Sequence, residues 1–151
     1  MKNLSEIAPG MFIAGQPTEV ELKNLPATGF KTVINLRGAD EDGFLADEGE
    51  LVVAAGARYA AIPISPETLC AADLEQFSAA IQENLPAVAH CGSGGRGGIM
   101  LLLHLAKTNG WSLETALTEG EKLGLAPGPG SKYWAAFNGI LNAECGMRNA
   151  E

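Results

Sequence analysis

Residues 86–107 constrain the possible fold more than any other part of the sequence. They begin with a short apolar run, Pro86–His90, pass through eight residues of which five are glycine, and end in an almost wholly apolar run, Ile99–Lys107. The first run is typical of a buried strand, and the last is typical of a helix that is apolar on nearly every side. We therefore expect a strand, a tight turn and a helix that lies in the middle of the fold.

Strand-like and helix-like patterns alternate along the rest of the chain. The pattern Thr18-x-x-Glu21 is a capping box that predicts the start of a helix, and Gly29 predicts its end. We predict strands over residues 11–14, 32–36, 59–64 and 86–90, and helices over residues 18–27, 45–55, 74–81, 99–107, 112–123 and 132–143. This alternation predicts an α/β fold with a central, mostly parallel sheet of four to five strands flanked by helices, in which residues 59–64 form an inner strand.

The composition fits one domain and argues against several classes of protein. With 151 residues, of which 46% are hydrophobic and 19% charged, the chain can bury a core, and we expect a single domain over residues 1–151. The net charge of −8 argues against binding to nucleic acid or to an anionic membrane surface. Three cysteines are too few for a disulfide framework, so we expect reduced thiols and a cytoplasmic location. The first ten residues hold no apolar stretch of signal-peptide length, and the most apolar run, Ile99–Ala106, is far shorter than a membrane span, so we expect no targeting or membrane-spanning segment.

The residue types that carry chemistry concentrate between His90 and Gly98. Glycine lets a loop turn tightly with its amide groups pointing inward, and these amides bind anions together with the positive end of the following helix. Arg96 adds a planar guanidinium that fits two oxygens of a tetrahedral oxyanion. The same positive field lowers the pKa of a thiol, so we expect Cys91 to be a thiolate at the base of this loop. Such a thiolate is suited to nucleophilic attack on phosphorus or sulfur.

Three sequence motifs, in this order along the chain, resemble those of a known superfamily. They are Val33-Ile34-Asn35-Leu36-Arg37, Tyr59-x-x-Ile62-Pro63-Ile64 and His90-Cys91-x-Ser93-Gly94-x-Arg96, and the earlier segments Gly15-Gln16-Pro17 and Gly29–Val33 also fit. The sequence resembles the cysteine-dependent dual-specificity phosphatases and, more closely, the bacterial phosphatase-like domain of the beta-lactamase hydrolase-like proteins. The resemblance covers about residues 10–107, some two-thirds of the chain.

This resemblance implies a central, mainly parallel sheet and a reaction that passes through a phosphocysteine. The substrate would be a phosphotyrosine or a small phosphoester, carried by a phosphorylated small molecule or a phosphoprotein. The implied catalytic residues are Cys91, as the nucleophile, and Arg96, and the implied phosphate-binding residues are Gly92, Ser93, Gly94, Gly95 and Arg96. Thiol chemistry of this kind needs no metal or other cofactor, and the two His and three Cys lack the paired spacing of a zinc site.

Two departures from that superfamily leave alternative functions open. Four residues separate Cys91 from Arg96, where ordinary tyrosine phosphatases have five, and Gly97 stands where those enzymes have Ser or Thr. The shorter loop also occurs in the closer bacterial family and in rhodanese-like sulfurtransferases, so a sulfurtransferase that uses a Cys91 persulfide is one alternative. Gly97 lacks the hydroxyl that helps the thiolate leave, unless Ser93 substitutes for it. A catalytically weak module that binds an anion or a phosphoprotein is therefore the other alternative.

The motifs leave two sources for the general acid. Proton delivery to the leaving oxygen needs a carboxyl group within reach. One source is Glu67, which follows the predicted strand 59–64, and the other is the cluster Asp40, Glu41 and Asp42, which follows Arg37. We expect Arg37 to pair with this acidic cluster rather than to line the site.

The remaining polar and aromatic residues are expected to be structural. His90 should orient the loop through hydrogen bonds, and His104 should be a hydrogen-bonded core residue within an apolar helix. Cys70 and Cys145 lack a cationic setting and should be inert, although Cys70 could serve as a resolving thiol if the fold brought it near the nucleophile. The aromatic residues expected to pack the last helices on the domain are Trp111, Tyr133, Trp134 and Phe137.

Overall fold

A computed structural model describes the backbone of residues 1–150 and the side chains of residues 1–142. The strands are β1 (Ser5–Ala8), β2 (Met11–Ala14), β3 (Thr32–Asn35), β4 (Arg58–Ala61) and β5 (Ala87–His90). The helices are α1 (Glu19–Lys23), α2 (Leu25–Thr28), α3 (Glu48–Ala54), α4 (Ala71–Glu83), α5 (Gly95–Asn109), α6 (Leu113–Leu123) and α7 (Trp134–Ala150). Strands and helices alternate from β2 to α5, as the sequence patterns predicted.

These strands form one five-stranded sheet in the order β1-β2-β5-β3-β4. The central strand, β5, pairs in parallel with β2 on one side and with β3 on the other. Strand β4 is parallel to β3, whereas β1 is antiparallel to β2. The predicted α/β fold with a mostly parallel sheet is therefore confirmed. Because the four parallel strands end at the same edge of the sheet, the segments that follow them meet there.

Two strands differ from the sequence prediction. Residues 59–64 do not form an inner strand, because β4 lies at an edge of the sheet and both of its end residues, Arg58 and Ala61, are exposed. The apolar residues that suggested an inner strand, Ile62 and Ile64, are buried beyond the end of β4. Strand β1 has no counterpart in the prediction, since its four residues are exposed or half-buried and show no apolar alternation.

The helix predicted over residues 18–27 consists of two short helices. The Thr18 hydroxyl accepts a hydrogen bond from the amide of Glu21 at 3.1 Å, and the Glu21 carboxylate accepts one from the amide of Thr18 at 2.9 Å, so the capping box is confirmed. Pro26 has no amide hydrogen and cannot continue the hydrogen-bond ladder of α1, so the chain restarts as α2. Gly29 ends α2 in the left-handed conformation, with a φ of 82°.

The helix predicted from the apolar run 99–107 is α5, but it starts earlier. It begins at Gly95, inside the glycine-rich stretch, and residues 100–103 are fully buried. The expectation of a helix in the middle of the fold is therefore confirmed. Helix α3, by contrast, starts at Glu48, later than the predicted Leu45.

Apolar side chains cover both faces of the sheet. On one face, side chains of α1, α2 and α3 pack in a cluster that includes Val33 and Val88. On the other face, side chains of α4 to α7 pack in a larger cluster that includes Ile34 and Ala89. Neighbouring strand residues point to opposite faces, so each strand contributes to both clusters. Phe137 is fully buried in the larger cluster, as expected for an aromatic residue of the last helices.

No helix in the part of the chain described here combines the length and the apolar character that crossing a membrane requires.

Candidate active site

The loop that joins β5 to α5 starts at the edge of the sheet where the parallel strands end. Backbone hydrogen bonds from both neighbouring strands fix its first residues. The amide of Cys91 donates to the carbonyl of Ala14 at 3.3 Å, and the amide of Leu36 donates to the carbonyl of His90 at 2.9 Å. Because β5 is the central strand, Cys91 is held from both sides at the point where the loop begins.

Two glycines let this loop turn directly into α5. Gly94 is the N-cap of the helix and has a φ of 107°, a left-handed conformation that favours glycine. Gly97 lies so close to the sheet that a Cβ atom there would be 3.0 Å from the carbonyl oxygen of Ala89 and 3.2 Å from a side-chain carbon of Ile13. A serine at position 97 would therefore need a shift of α5 or of the sheet. This packing accounts for the glycine that follows Arg96.

The sulfur of Cys91 lies against the amides of the loop. The residue is 2% exposed, and its sulfur accepts a hydrogen bond from the amide of Gly94 at 3.0 Å. Burial raises the pKa of the Cys91 thiol, but hydrogen bonds from loop amides outweigh burial and lower the pKa below its ordinary value. These amides belong to Gly97, Gly94, Arg96 and Ser93. Fixed backbone dipoles, rather than a single counter-ion, therefore stabilise the thiolate.

The guanidinium of Arg96 is held by Glu41, from the loop that follows β3. Its two terminal nitrogens donate to the two carboxylate oxygens of Glu41 at 2.8 and 2.7 Å, which makes the ion pair bidentate. One of these nitrogens also lies 3.4 Å from the carbonyl oxygen of Leu36 and 3.5 Å from that of Ile64. These contacts fix the plane of the guanidinium beside the cavity that Cys91 also lines.

Glu41 is unsuited to donate a proton to a leaving group. Hydrogen bonds from Arg96, and to a smaller extent from the amide of Gly38 and from Arg37, outweigh burial and lower the pKa of Glu41 to about 2. A carboxyl group with this pKa carries no proton near neutral pH. Of the acidic residues singled out from the sequence, Glu41 instead positions Arg96. The sequence does not reveal this pairing, because the two residues lie 55 positions apart.

A chain of hydrogen bonds connects Glu41 to the end of β5. Arg37 donates to Glu41 at 3.3 Å and to the side-chain oxygen of Gln16 at 2.9 Å. The side-chain nitrogen of Gln16 donates to Glu48 at 2.8 Å, and Glu48 shares a hydrogen bond of 2.6 Å with His90. The side chains of Glu48 and His90 are fully buried. The chain of contacts thus runs from the last residue of β5 to the carboxylate that holds the guanidinium.

Two of the structural assignments made from the sequence are confirmed. Arg37 is 8% exposed and pairs with the acidic cluster, donating to the carboxylate of Glu41 and to the backbone carbonyl of Asp42. His104 is a buried core residue, and its Nδ1 lies 2.8 Å from the hydroxyl of Ser78. Both residues therefore support the site or the core without lining the cavity.

Cys70 takes no part in the geometry of this loop. Cys70 is an exposed free thiol at the start of α4, where its backbone amide donates to Asp73 at 3.0 Å and its sulfur lies 3.6 Å from the same carboxylate. Cys91 is also a free thiol, so the two are not joined by a disulfide. The expectation for Cys145 falls outside the side chains that the structure describes.

A cavity of about 280 Å³ opens above Cys91, and we call it the thiol cavity. It is lined by Cys91, Gly92, Ser93, Gly95, Arg96, Ile99 and Tyr133. Tyr133 packs against the core, as the sequence indicated, but its place in the cavity was not foreseen. Burial raises the pKa of Tyr133, and the positive charge of Arg96 opposes this shift. The negative charges that reinforce the shift are those of Cys91, Glu41 and Glu67. Tyr133 therefore adds a neutral phenol to the cavity.

A bacterial domain family matches most of this chain. The family is described as the phosphatase-like domain of the beta-lactamase hydrolase-like proteins, and it matches residues 3–108. A beta-lactamase hydrolase-like protein of Agrobacterium fabrum is 39% identical over an alignment of 88 residues, which covers 56% of this chain and 20% of that protein. The present chain thus spans about a fifth of the length of that curated relative.

Several solved structures share this fold, and one of them is described as a candidate phosphatase. A candidate phosphatase from Shewanella putrefaciens is 27% identical, with a TM-score of 0.73 and coverage of 95% of this chain and 93% of that chain. PTPMT1, solved in complex with PI(5)P, is 15% identical, with a TM-score of 0.75 and coverage of 96% and 98%. TpbA of P. aeruginosa, solved in complex with phosphotyrosine, is 21% identical, with a TM-score of 0.64 and coverage of 95% and 90%. The last two establish the likeness of fold alone.

The match to the family covers well over half of the chain and includes every motif on which the sequence resemblance rested. The fold is also that of the candidate phosphatase from Shewanella putrefaciens, which is 27% identical. The chain therefore belongs to the phosphatase-like domain family of the beta-lactamase hydrolase-like proteins.

Proposed function

We propose that this protein is a cysteine-dependent phosphatase that hydrolyses a phosphotyrosine or a small phosphomonoester. The observation that carries the proposal is the setting of Cys91. Its sulfur accepts from the amide of Gly94 at 3.0 Å, in a loop whose amides lower the thiol pKa, and it shares the thiol cavity with Arg96. The family to which the chain belongs supports phosphate ester chemistry over the alternatives.

In the first step, the thiolate of Cys91 attacks phosphorus. An S–P bond forms, the P–O bond to the leaving group breaks, and the loop amides and Arg96 bind the nonbridging phosphoryl oxygens. The N-terminal end of α5 adds a positive dipole at the place where negative charge develops. PTPMT1 and TpbA share this fold and were solved in complex with PI(5)P and with phosphotyrosine, which supports a phosphorylated ligand for this chain.

The leaving oxygen takes a proton from a general acid, for which we propose Glu67. Glu41 is held ionised by Arg96, so it has no proton to give. Glu67 is exposed, and its charge acts on Tyr133, which lines the thiol cavity. In this proposal the phenol of Tyr133 donates a hydrogen bond at the mouth of the cavity and keeps its own proton.

In the second step, a water molecule attacks phosphorus and passes its proton to the carboxylate of Glu67. The S–P bond breaks, and inorganic phosphate and the Cys91 thiolate are released. Gly97 offers no hydroxyl to the departing sulfur, so the loop amides stabilise it instead. Ser93 lines the thiol cavity and is the hydroxyl that we propose to assist them.

The test is the mass of the intact protein after reaction with an aryl phosphate or with thiosulfate. We expect hydrolysis of p-nitrophenyl phosphate and, after rapid quenching in acid, one phosphoryl group on Cys91. The matched control is Cys91→Ser, which should carry no adduct. A sulfur adduct from thiosulfate, with thiocyanate formed when cyanide is added and no turnover of the aryl phosphate, would overturn the proposal in favour of a sulfurtransferase. Phosphate binding with no turnover and no adduct would also overturn the proposal, and would indicate that the protein binds an anion without catalysing a reaction.

A further inference from the structure

A second cavity, of about 450 Å³, adjoins the thiol cavity. We call it the side cavity, and it lies between residues 93–99, which span the end of the glycine-rich loop and the start of α5, and the turn 124–131. The two cavities share Ser93, Gly95 and Ile99 as lining residues. The side cavity therefore lies next to the place where the phosphoryl group would bind, and neither Arg96 nor Glu41 lines it.

Hydrogen bonds hold the walls of the two cavities together. Ser131 lines the side cavity, and its hydroxyl accepts from the amide of Tyr133, which lines the thiol cavity, at 3.1 Å. At the other end, the side-chain amide of Asn3 donates to the backbone carbonyl of Ser93 at 2.9 Å. These contacts connect residues that line the side cavity with residues that line the thiol cavity.

The lining of the side cavity is uncharged and partly apolar. Among the described side chains, its walls include the apolar residues Ile13, Leu125 and Pro127 and the neutral polar residues Asn3 and Ser131, but no charged residue. The one cation that lines the thiol cavity, Arg96, would be occupied by the phosphoryl oxygens. The chain also carries a net charge of −8, which disfavours a second anionic group on the substrate.

We propose that the side cavity receives the leaving group of the substrate, and that this group is an uncharged alcohol or phenol with an apolar body. The inference rests on the proposed phosphatase function and narrows the substrate class of the same site. The apolar wall would bury the body of the leaving group, and the amide and hydroxyl groups of the lining would satisfy its polar atoms. A phosphoester with a carboxylate or a second phosphate next to the ester would lose this burial without gaining a counter-ion.

Two pairs of substrates test the size and charge of the leaving group. We expect kcat/KM for 2-naphthyl phosphate to exceed that for phenyl phosphate by about tenfold, because the second ring adds apolar contact while the acidity of the leaving phenol stays similar. We expect 4-carbamoylphenyl phosphate to exceed 4-carboxyphenyl phosphate by about tenfold, because the two leaving groups share a shape and differ in charge.

A matched pair of glycine variants tests the place of binding. Gly128 lines the side cavity, its φ lies outside the left-handed region, and a Cβ atom there would meet nothing within 4 Å. Gly130 has the same freedom but does not line either cavity. We expect Gly128→Leu to lower kcat/KM for 2-naphthyl phosphate about tenfold more than that for phenyl phosphate, whose single ring fills less of the side cavity, whereas Gly130→Leu should lower neither.

The outcomes separate the inference from the function on which it rests. The inference would be overturned if the protein hydrolysed phenyl phosphate but showed no preference for the naphthyl ester or the uncharged ester, and if Gly128→Leu had no effect. The phosphatase proposal would still stand in that case. Absence of turnover of every one of these esters would overturn both. A circular dichroism spectrum and a thermal unfolding midpoint close to those of the parent protein show that Gly128→Leu is folded.

Discussion

Replacing Cys91 with serine is expected to lower kcat for an aryl phosphate by a factor on the order of 10⁴ or more. The loop amides stabilise a thiolate, but a serine hydroxyl in the same place stays protonated near neutral pH and is a far weaker nucleophile. The measurement is the steady-state release of p-nitrophenol by the purified variant and the parent protein.

The matched control for this change is Cys70→Ser. Cys70 is exposed at the start of α4 and contacts Asp73, so its replacement should leave kcat within about twofold of the parent. Inorganic phosphate should still bind to Cys91→Ser in a calorimeter, because Arg96 and the loop amides remain. A Cys91→Ser variant that keeps a tenth or more of the parent activity, after exclusion of contaminating phosphatase, would show that the sulfur is not the nucleophile.

Replacing Arg96 with lysine is expected to lower kcat by about 10²–10³-fold. The guanidinium donates to both oxygens of Glu41 and also lines the thiol cavity, whereas an ammonium group is a point charge without this planar, bidentate geometry. The loss should fall mainly on kcat, because negative charge on the phosphoryl oxygens is greatest in the transition state.

Arg58→Lys is the matched control for this substitution. Arg58 lies on the edge strand β4, far more exposed than Arg96, and pairs with Glu83. Its conservative replacement should change neither kcat nor KM. Equal losses in Arg96→Lys and Arg58→Lys would point to a general effect on the folded state rather than to phosphoryl binding. An Arg96→Lys variant with parent activity would exclude the guanidinium from the reaction.

The central part of the fold could be predicted because its signals are local. The apolar run before the glycines, the glycines themselves and the apolar run after them are contiguous, so strand β5, the loop and α5 follow from neighbouring residues. The break at Pro26 is also a local signal. The prediction of one helix over residues 18–27 was wrong because proline lacks the amide hydrogen that would continue α1. Strand β1 carries no such signal, because an exposed edge strand needs no apolar alternation.

The remaining parts of the candidate site depend on contacts between distant residues. Glu41 reaches Arg96 only because the loops after β3 and β5 meet at one edge of the sheet. Tyr133 enters the thiol cavity from the segment before α7, and its sequence neighbours indicate only a turn followed by a packed helix. The role of Gly97 likewise became clear from its distance to Ala89, which no sequence pattern encodes.

The most direct test of the account is the titration of the Cys91 thiol. The ultraviolet absorbance of the thiolate is measured against pH in a protein with Cys70→Ser and Cys145→Ser, and the absorbance of the same protein with Cys91→Ser is subtracted. Because the loop amides lower the pKa of Cys91 in the folded protein, the thiolate signal should appear at a lower pH than that of a free thiol, whose pKa is about 8.5. A signal that appears only as the pH rises through about 8.5, the range of a free thiol, would contradict the account.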